Sequence, residues 1–82
     1  MSDHNVTMPD LATTESEIRI INWLVEIGQP VRRGQGLLEI ETDKATMEIE
    51  ATVSGTLKSI VVPADQTAEV GQVIAVIEME DS

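Results

Sequence analysis

Apolar and β-branched residues fall in short runs at Val6–Met8, Ile18–Val25, Leu37–Glu41, Thr46–Val53, Thr56–Val62 and Val73–Met79. Between the runs stand Pro9-Asp10, Gly28-Gln29-Pro30, Gly34-Gln35-Gly36, Ser54-Gly55, Pro63-Ala64-Asp65 and Gly71. Glycine supplies positive φ, proline presets φ, and Asp or Ser caps its own backbone, so each of these marks a turn. The cleanest alternation sets Leu38 and Ile40 against Glu39 and Glu41, then Met47, Ile49 and Ala51 against Glu48 and Glu50. A period of two puts one face of a strand in a core and the carboxylates in water. Only the stretch Asp10–Val25 is long enough for a helix, and there Ile18, Ile20 and Ile21 favour strand. The pattern predicts an all-β chain.

The pattern also repeats. Advancing the chain by 37 positions lays Val31, Gly34, Leu37, Ile40 and Glu41 on Ala68, Gly71, Ile74, Ile77 and Glu78, with Gln29 on Gln66, Gln35 on Gln72 and Ile20 on Leu57. Two copies are too few for a solenoid. They fit two half-domains about a pseudo-two-fold axis, with small sheets closed on each other to protect their edges. The link Thr42–Ala45 should then lie near that axis at one end of the sandwich, with both termini towards the other end. Two alternating strands run directly into the link, which puts Asp43 and Lys44 at the tip of a tight hairpin.

Length and composition narrow the function classes. Eighty-two residues make one domain, 1–82, with an ordered core expected over about 5–79 and a tail, Glu80-Asp81-Ser82, leading into a linker. There is no cysteine, so packing replaces disulfide or zinc-thiolate staples. Fifteen acidic residues against five basic ones give a net charge of −10. That argues against nucleic acid, which is bound by neutralising phosphates, and against an anionic membrane. It suits a domain kept monomeric by repulsion.

The N-terminus MSDHNVT carries neither an apolar nor an Arg-rich targeting pattern, so a bacterial cytoplasm is expected, with a mitochondrial matrix as the alternative. No catalytic triad, P-loop or dinucleotide fingerprint is present, and alternating Glu residues disperse metal ligands rather than gather them. His4 is expected in a mobile end. Trp23 reads as a packing residue, and Met8, Met47 and Met79 as core fillers.

The remaining candidate chemistry is Lys44, one of two lysines, set in EIETDKATMEIEA. A lone turn lysine among carboxylates is ordinarily a solvated side chain, and its exposed ion pairs contribute little. The context is more specific. With Val6–Leu11 (VTMPDL), Trp23–Val31 (WLVEIGQPV), Gly34–Leu38 (GQGLL) and Gly71–Glu78 (GQVIAVIE), this stretch resembles the lipoyl domain of 2-oxo acid dehydrogenase complexes over nearly the whole chain. The resemblance implies a flattened barrel of two four-stranded antiparallel sheets with the modified lysine at a hairpin tip. Lys44 would carry (R)-lipoate through an amide bond, with Asp43 and Ala45 flanking it in the recognition motif. Glu41 and Gly28 would be read by the lipoylating enzyme. The loop Leu11–Ser16 would approach the lysine turn and bear on partner choice, although LATTES departs from the usual wording of that loop.

By the same resemblance the domain is a substrate carrier and no catalyst on its own. Its parent would be a dihydrolipoyl acyltransferase, most simply of the pyruvate complex. Its partners would be a lipoate-protein ligase or lipoyl transferase, a thiamine-dependent 2-oxo acid dehydrogenase, the acyltransferase core and dihydrolipoyl dehydrogenase. The alternatives are a biotinyl carrier, which would place methionines where Asp43 and Ala45 stand, and an unmodified β-sandwich interaction module. The glycine-cleavage carrier shares the lysine but adds helical segments that this chain lacks.

Overall fold

In the computed structural model, residues 2–9, 17–42 and 45–79 are described. Their strands are β1 (Ser2–Thr7), β2 (Glu17–Trp23), β3 (Pro30–Val31), β4 (Gly36–Glu41), β5 (Thr46–Glu50), β6 (Gly55–Ile60), β7 (Thr67–Glu69) and β8 (Val73–Met79). They form two four-stranded antiparallel sheets, β1-β8-β6-β3 and β5-β4-β2-β7, with no helix among the described residues. The predicted all-β sandwich is what is found.

The repeat is carried down to single hydrogen bonds. Relating β1 to β5, β2 to β6, β3 to β7 and β4 to β8 turns one sheet order into the other. Gly28 N–H donates to Leu57 O at 2.7 Å, and Asp65 N–H, its counterpart, donates to Ile20 O at 2.8 Å. Leu24 N–H to Leu37 O is matched by Val61 N–H to Ile74 O, both 2.8 Å. Gln35 and its counterpart Gln72 do the same work in each half. Gln35 Oε1 accepts from Arg32 N–H at 2.9 Å, and Gln72 Oε1 accepts from Glu69 N–H at 3.0 Å. Gly34 and Gly71 share a φ of 88° and 86°, while the place held by Gly28 (92°) is held by Asp65 (69°) in the second half. Aspartate is among the few non-glycine residues that tolerate this region.

Between the sheets lies a core of aliphatic residues, with Ile18, Ile20, Leu37, Leu38, Ile40, Leu57, Ile74 and Ile77 fully buried. Each such side chain contributes about 1.5–3 kcal/mol through removal from water. Simple alternation fails at Leu37-Leu38 and at Ile74-Ala75, where consecutive residues are both buried. Each pair sits at a register shift, between Gly36 and Leu38 in β4 and opposite Val6 and Thr7 of β1 in β8. The bulge inserts an extra residue and turns two neighbours inward.

Trp23 packs against the core as expected and also donates its indole N–H to Val62 O at 2.9 Å. Trp23→Phe is expected to cost about 1–3 kcal/mol, because a part-buried carbonyl loses its partner. The check is the urea midpoint followed by circular dichroism, and an unchanged midpoint would deny the bond a stabilising role.

Two expectations about the N-terminus need correction. β1 begins at Ser2, not near residue 5, and His4 is half-buried within it, paired with Ile77. Its Nε2 lies 3.3 Å from Thr52 Oγ1. The strand is polar because its backbone, not its side chains, ties it to β8.

Candidate functional site

The β4–β5 hairpin closes at Glu41↔Thr46, the last rung of its ladder. Beyond that rung Thr42 and Ala45 face each other. Thr42 N–H donates to Ala45 O at 2.9 Å. The Thr42 hydroxyl donates to the same carbonyl at 3.2 Å and accepts from Ala45 N–H at 3.2 Å. This is the turn chemistry for which Thr is suited. Thr42 is only 9% exposed, the buried polar residue of the described core, whereas Ala45, Thr46 and Glu41 are exposed. Asp43 and Lys44 lie outside the described residues, as does the 11–16 loop expected to approach them. Chain connectivity makes those two residues the bridge across the neck that Thr42 and Ala45 form.

Glu41 stands on the rung next to the neck, with Thr46 on one side and Arg19 of β2 on the other. The outward positions of this sheet carry Glu17, Glu39, Glu41, Glu48 and Glu69, with Glu39 directly opposite Glu48. Like charges facing across a ladder cost stability rather than add to it. Arg19 is drawn to Asp65 Oδ1 at 3.2 Å, an exposed pair worth at most about 1 kcal/mol.

Gly28 is not brought to this end. It belongs to a turn packed on the other sheet, beside Ile27, Thr56, Leu57, Lys58 and Glu78. Glu78 there pairs with Asp3, next to the strand ends Ser2 and Met79. The hairpin neck and those strand ends lie far apart along the β4–β5 ladder. His4, near the start of β1, contacts Thr52, beyond the end of β5 remote from the neck. The five residues of β5 alone span about 16 Å. Under the pseudo-two-fold the neck maps onto the Ser2–Met79 pair. Since its mate is at the far end, the neck is well off the axis, contrary to the expectation from the repeat alone.

Neither the groove between β1 and β5, lined by His4, Val6, Pro9, Glu48, Ile49 and Thr52 among others, nor the hollow beside Gly28 includes any of residues 41, 42, 45 and 46. Among the described residues no cluster of His, Asp and Glu is arranged to hold a metal. What the described residues offer is a clamped neck, Thr42 to Ala45, which the chain bridges through Asp43 and Lys44.

Comparison with known proteins places the chain in a family. A family model described as "Biotin-requiring enzyme" matches residues 4–77. The chain is 48% identical over 77 residues to the dihydrolipoyllysine-residue acetyltransferase component of the pyruvate dehydrogenase complex of Rhizobium meliloti, covering 93% of this chain and 17% of that protein. It is 47% identical over 73 residues to the Zymomonas mobilis protein of the same name, covering 88% and 17%. The chain thus spans about a sixth of the length of the curated relatives it matches. Among solved structures, the lipoyl domain of the 2-oxoglutarate dehydrogenase complex from Azotobacter vinelandii superposes with a TM-score of 0.77 at 23% identity, over 94% of this chain and 98% of that one. At that identity the likeness is one of fold. Kluyveromyces lactis urea carboxylase also superposes with a TM-score of 0.77, at 26% identity, over 95% of this chain and 6% of that one.

Proposed function

This chain belongs to the family described as biotin-requiring enzymes, that of the biotin- and lipoyl-attachment domains, and on that premise we propose that Lys44 is its attachment residue and lipoate the group it carries. The observation that carries the reading is the clamped neck of the β4–β5 hairpin, which leaves two residues, one of them Lys44, to form the tip. The surroundings fit an acylated amine. Glu41, Ala45 and Thr46 are exposed, and neither the β1–β5 groove nor the hollow beside Gly28 takes in any of them. Amide formation removes one positive charge and takes the formal net charge of −10 one step further.

When bound, lipoate supplies a dithiolane that opens as it takes up an acyl group and is restored by oxidation. The chain's own part is mechanical and electrostatic. Its two sheets hold the hairpin neck away from Ser2 and Met79, so that a tether at those strand ends would leave an arm on Lys44 free to enter one active site after another. Tethering raises the effective concentration at each site. We assign the domain to a dihydrolipoyl acyltransferase of a pyruvate dehydrogenase complex, because relatives of that name share nearly half its residues. In this reading the domain is a carrier and not itself an enzyme. Its partners are a lipoate-protein ligase, a thiamine-dependent dehydrogenase, the acyltransferase core and dihydrolipoyl dehydrogenase, in a bacterial cytoplasm or a mitochondrial matrix.

A biotinyl carrier is the second reading, favoured by the equal superposition on urea carboxylase. Asp43 and Ala45 stand against it. The deciding experiment is intact mass after incubation with lipoate and a lipoate-protein ligase, and separately with biotin and a biotin-protein ligase. One lipoyl group per chain and no biotin is expected. Biotin alone would select the second reading. Neither, with both ligases active on control domains, would leave an interaction module.

A further inference from the structure

We propose that Thr42 is a positioning residue for modification: its buried hydroxyl clamps the neck of the hairpin and holds the two-residue tip ready for the modifying enzyme. The inference rests on the reading of Lys44 above. Three bonds tie Thr42 to Ala45, and two of them come from the hydroxyl, which donates to the Ala45 carbonyl and accepts from the Ala45 N–H. Both backbone polar groups of Ala45 are thereby held by one residue, immediately after the residue to be modified. A two-residue span between fixed ends has few closed conformations, so fixing the ends limits what the tip can adopt.

The molecule supplies its own control. In the other half the place of Thr42 is taken by Met79, and Ala45 is matched by Ser2. At the place of Thr42, then, the half that bears the lysine carries a hydroxyl and the other half a thioether. A strand end needing only ladder pairing would have no use for it.

An enzyme that accepts one tip conformation binds the domain with an affinity scaled down by the fraction of chains already in that conformation. Loss of the clamp is therefore expected in KM for the domain rather than in kcat. The experiment compares wild type, Thr42→Val and Thr42→Ser as substrates for a lipoate-protein ligase, with hydrogen exchange of the Ala45 amide measured on the same proteins. Thr42→Val is expected to raise KM on the order of tenfold with kcat within about twofold, and to lower protection of the Ala45 amide by a similar factor. Thr42→Ser is expected to return both to within about twofold of wild type.

Trp23→Phe, which weakens the fold away from the tip, separates positioning from general destabilisation. A KM rise in Trp23→Phe matching that in Thr42→Val would overturn the proposal, as would an unchanged KM or unchanged Ala45 protection in Thr42→Val. If wild type itself takes no lipoyl group, the reading of Lys44 fails first. The Ala45 exchange then decides separately whether the hydroxyl holds the neck.

Discussion

Lys44→Arg is expected to accept no lipoyl group under conditions that load wild type with one per chain, while Lys58→Arg loads fully. Arginine keeps the charge and much of the length but has no amine to acylate, since its guanidinium stays protonated. The two lysines differ in setting as well as position. Lys58 lies mid-strand in β6, with its Nζ donating to both carboxylate oxygens of Asp3, at 3.2 and 2.9 Å. That hydrogen bond, then the charge of Asp3 and more weakly that of Glu78, raise the Lys58 pKa above the ordinary 10.5. An amine held charged in an ion pair is a poor nucleophile. A loaded Lys44→Arg chain would sink the assignment, and an empty Lys58→Arg chain would move it to β6. The mass difference is all or nothing, on the order of a hundredfold in occupancy.

The largest effect on stability is expected at a residue without a side chain. Gly55 opens β6 where that strand crosses β8, and a Cβ there would fall on the carbonyl oxygen of Glu78 and lie 2.9 Å from Ile77 Cγ2. The obstacle is backbone of a central strand, hydrogen-bonded on both sides, and it has nowhere to go. Overpacking of this kind costs about 1–3 kcal/mol where side chains yield, and Gly55→Ala should lie at or above the top of that range. A domain of 82 residues has roughly 4–12 kcal/mol in all.

Gly36→Ala is the informative contrast. Its Cβ would also meet an atom too closely, but that atom is the carboxylate end of the exposed Glu48, which can swing into water. Its cost should stay within about 1 kcal/mol. Urea midpoints of the two variants at equal m-value provide the test. Equal midpoints would mean that β8 gives way as easily as a glutamate side chain.

Most of the architecture could be read from residues whose signals reinforce one another. Leu38, Ile40, Met47 and Ile49 alternate with Glu, and the aligned Gln29/Gln66 and Gln35/Gln72 pairs mark turns that the structure builds with matching bonds. The hairpin at Lys44 was legible because both of its strands alternate right up to it. What escaped sequence reading has physical causes. β3 and β7 are too short to show a period. β1 is polar over Ser2–Asn5 because its outward side chains need no apolar partner while its backbone pairs with β8. The bulge at Ile74 breaks alternation with no glycine beside it, and the one at Leu37 follows Gly36, which reads equally as the end of a turn. Spacing along the chain also cannot say which sheet a turn packs on, and Gly28 lies on the sheet away from the β4–β5 neck. Thr42 offers a signal of its own, a hydroxyl residue at the first corner of a tight turn.

The pairing of Ser2 with Met79 has a mechanical side. Chain entering at one and leaving at the other departs from adjacent points on neighbouring antiparallel strands, so tension on both tethers acts along the inter-strand hydrogen bonds and not across them. Such a load falls on one rung at a time, and β1 would peel from β8 as a zipper opens, at low force. The lysine hairpin, closed by its own turn at the far end, would carry none of that load until the zipper had run its length.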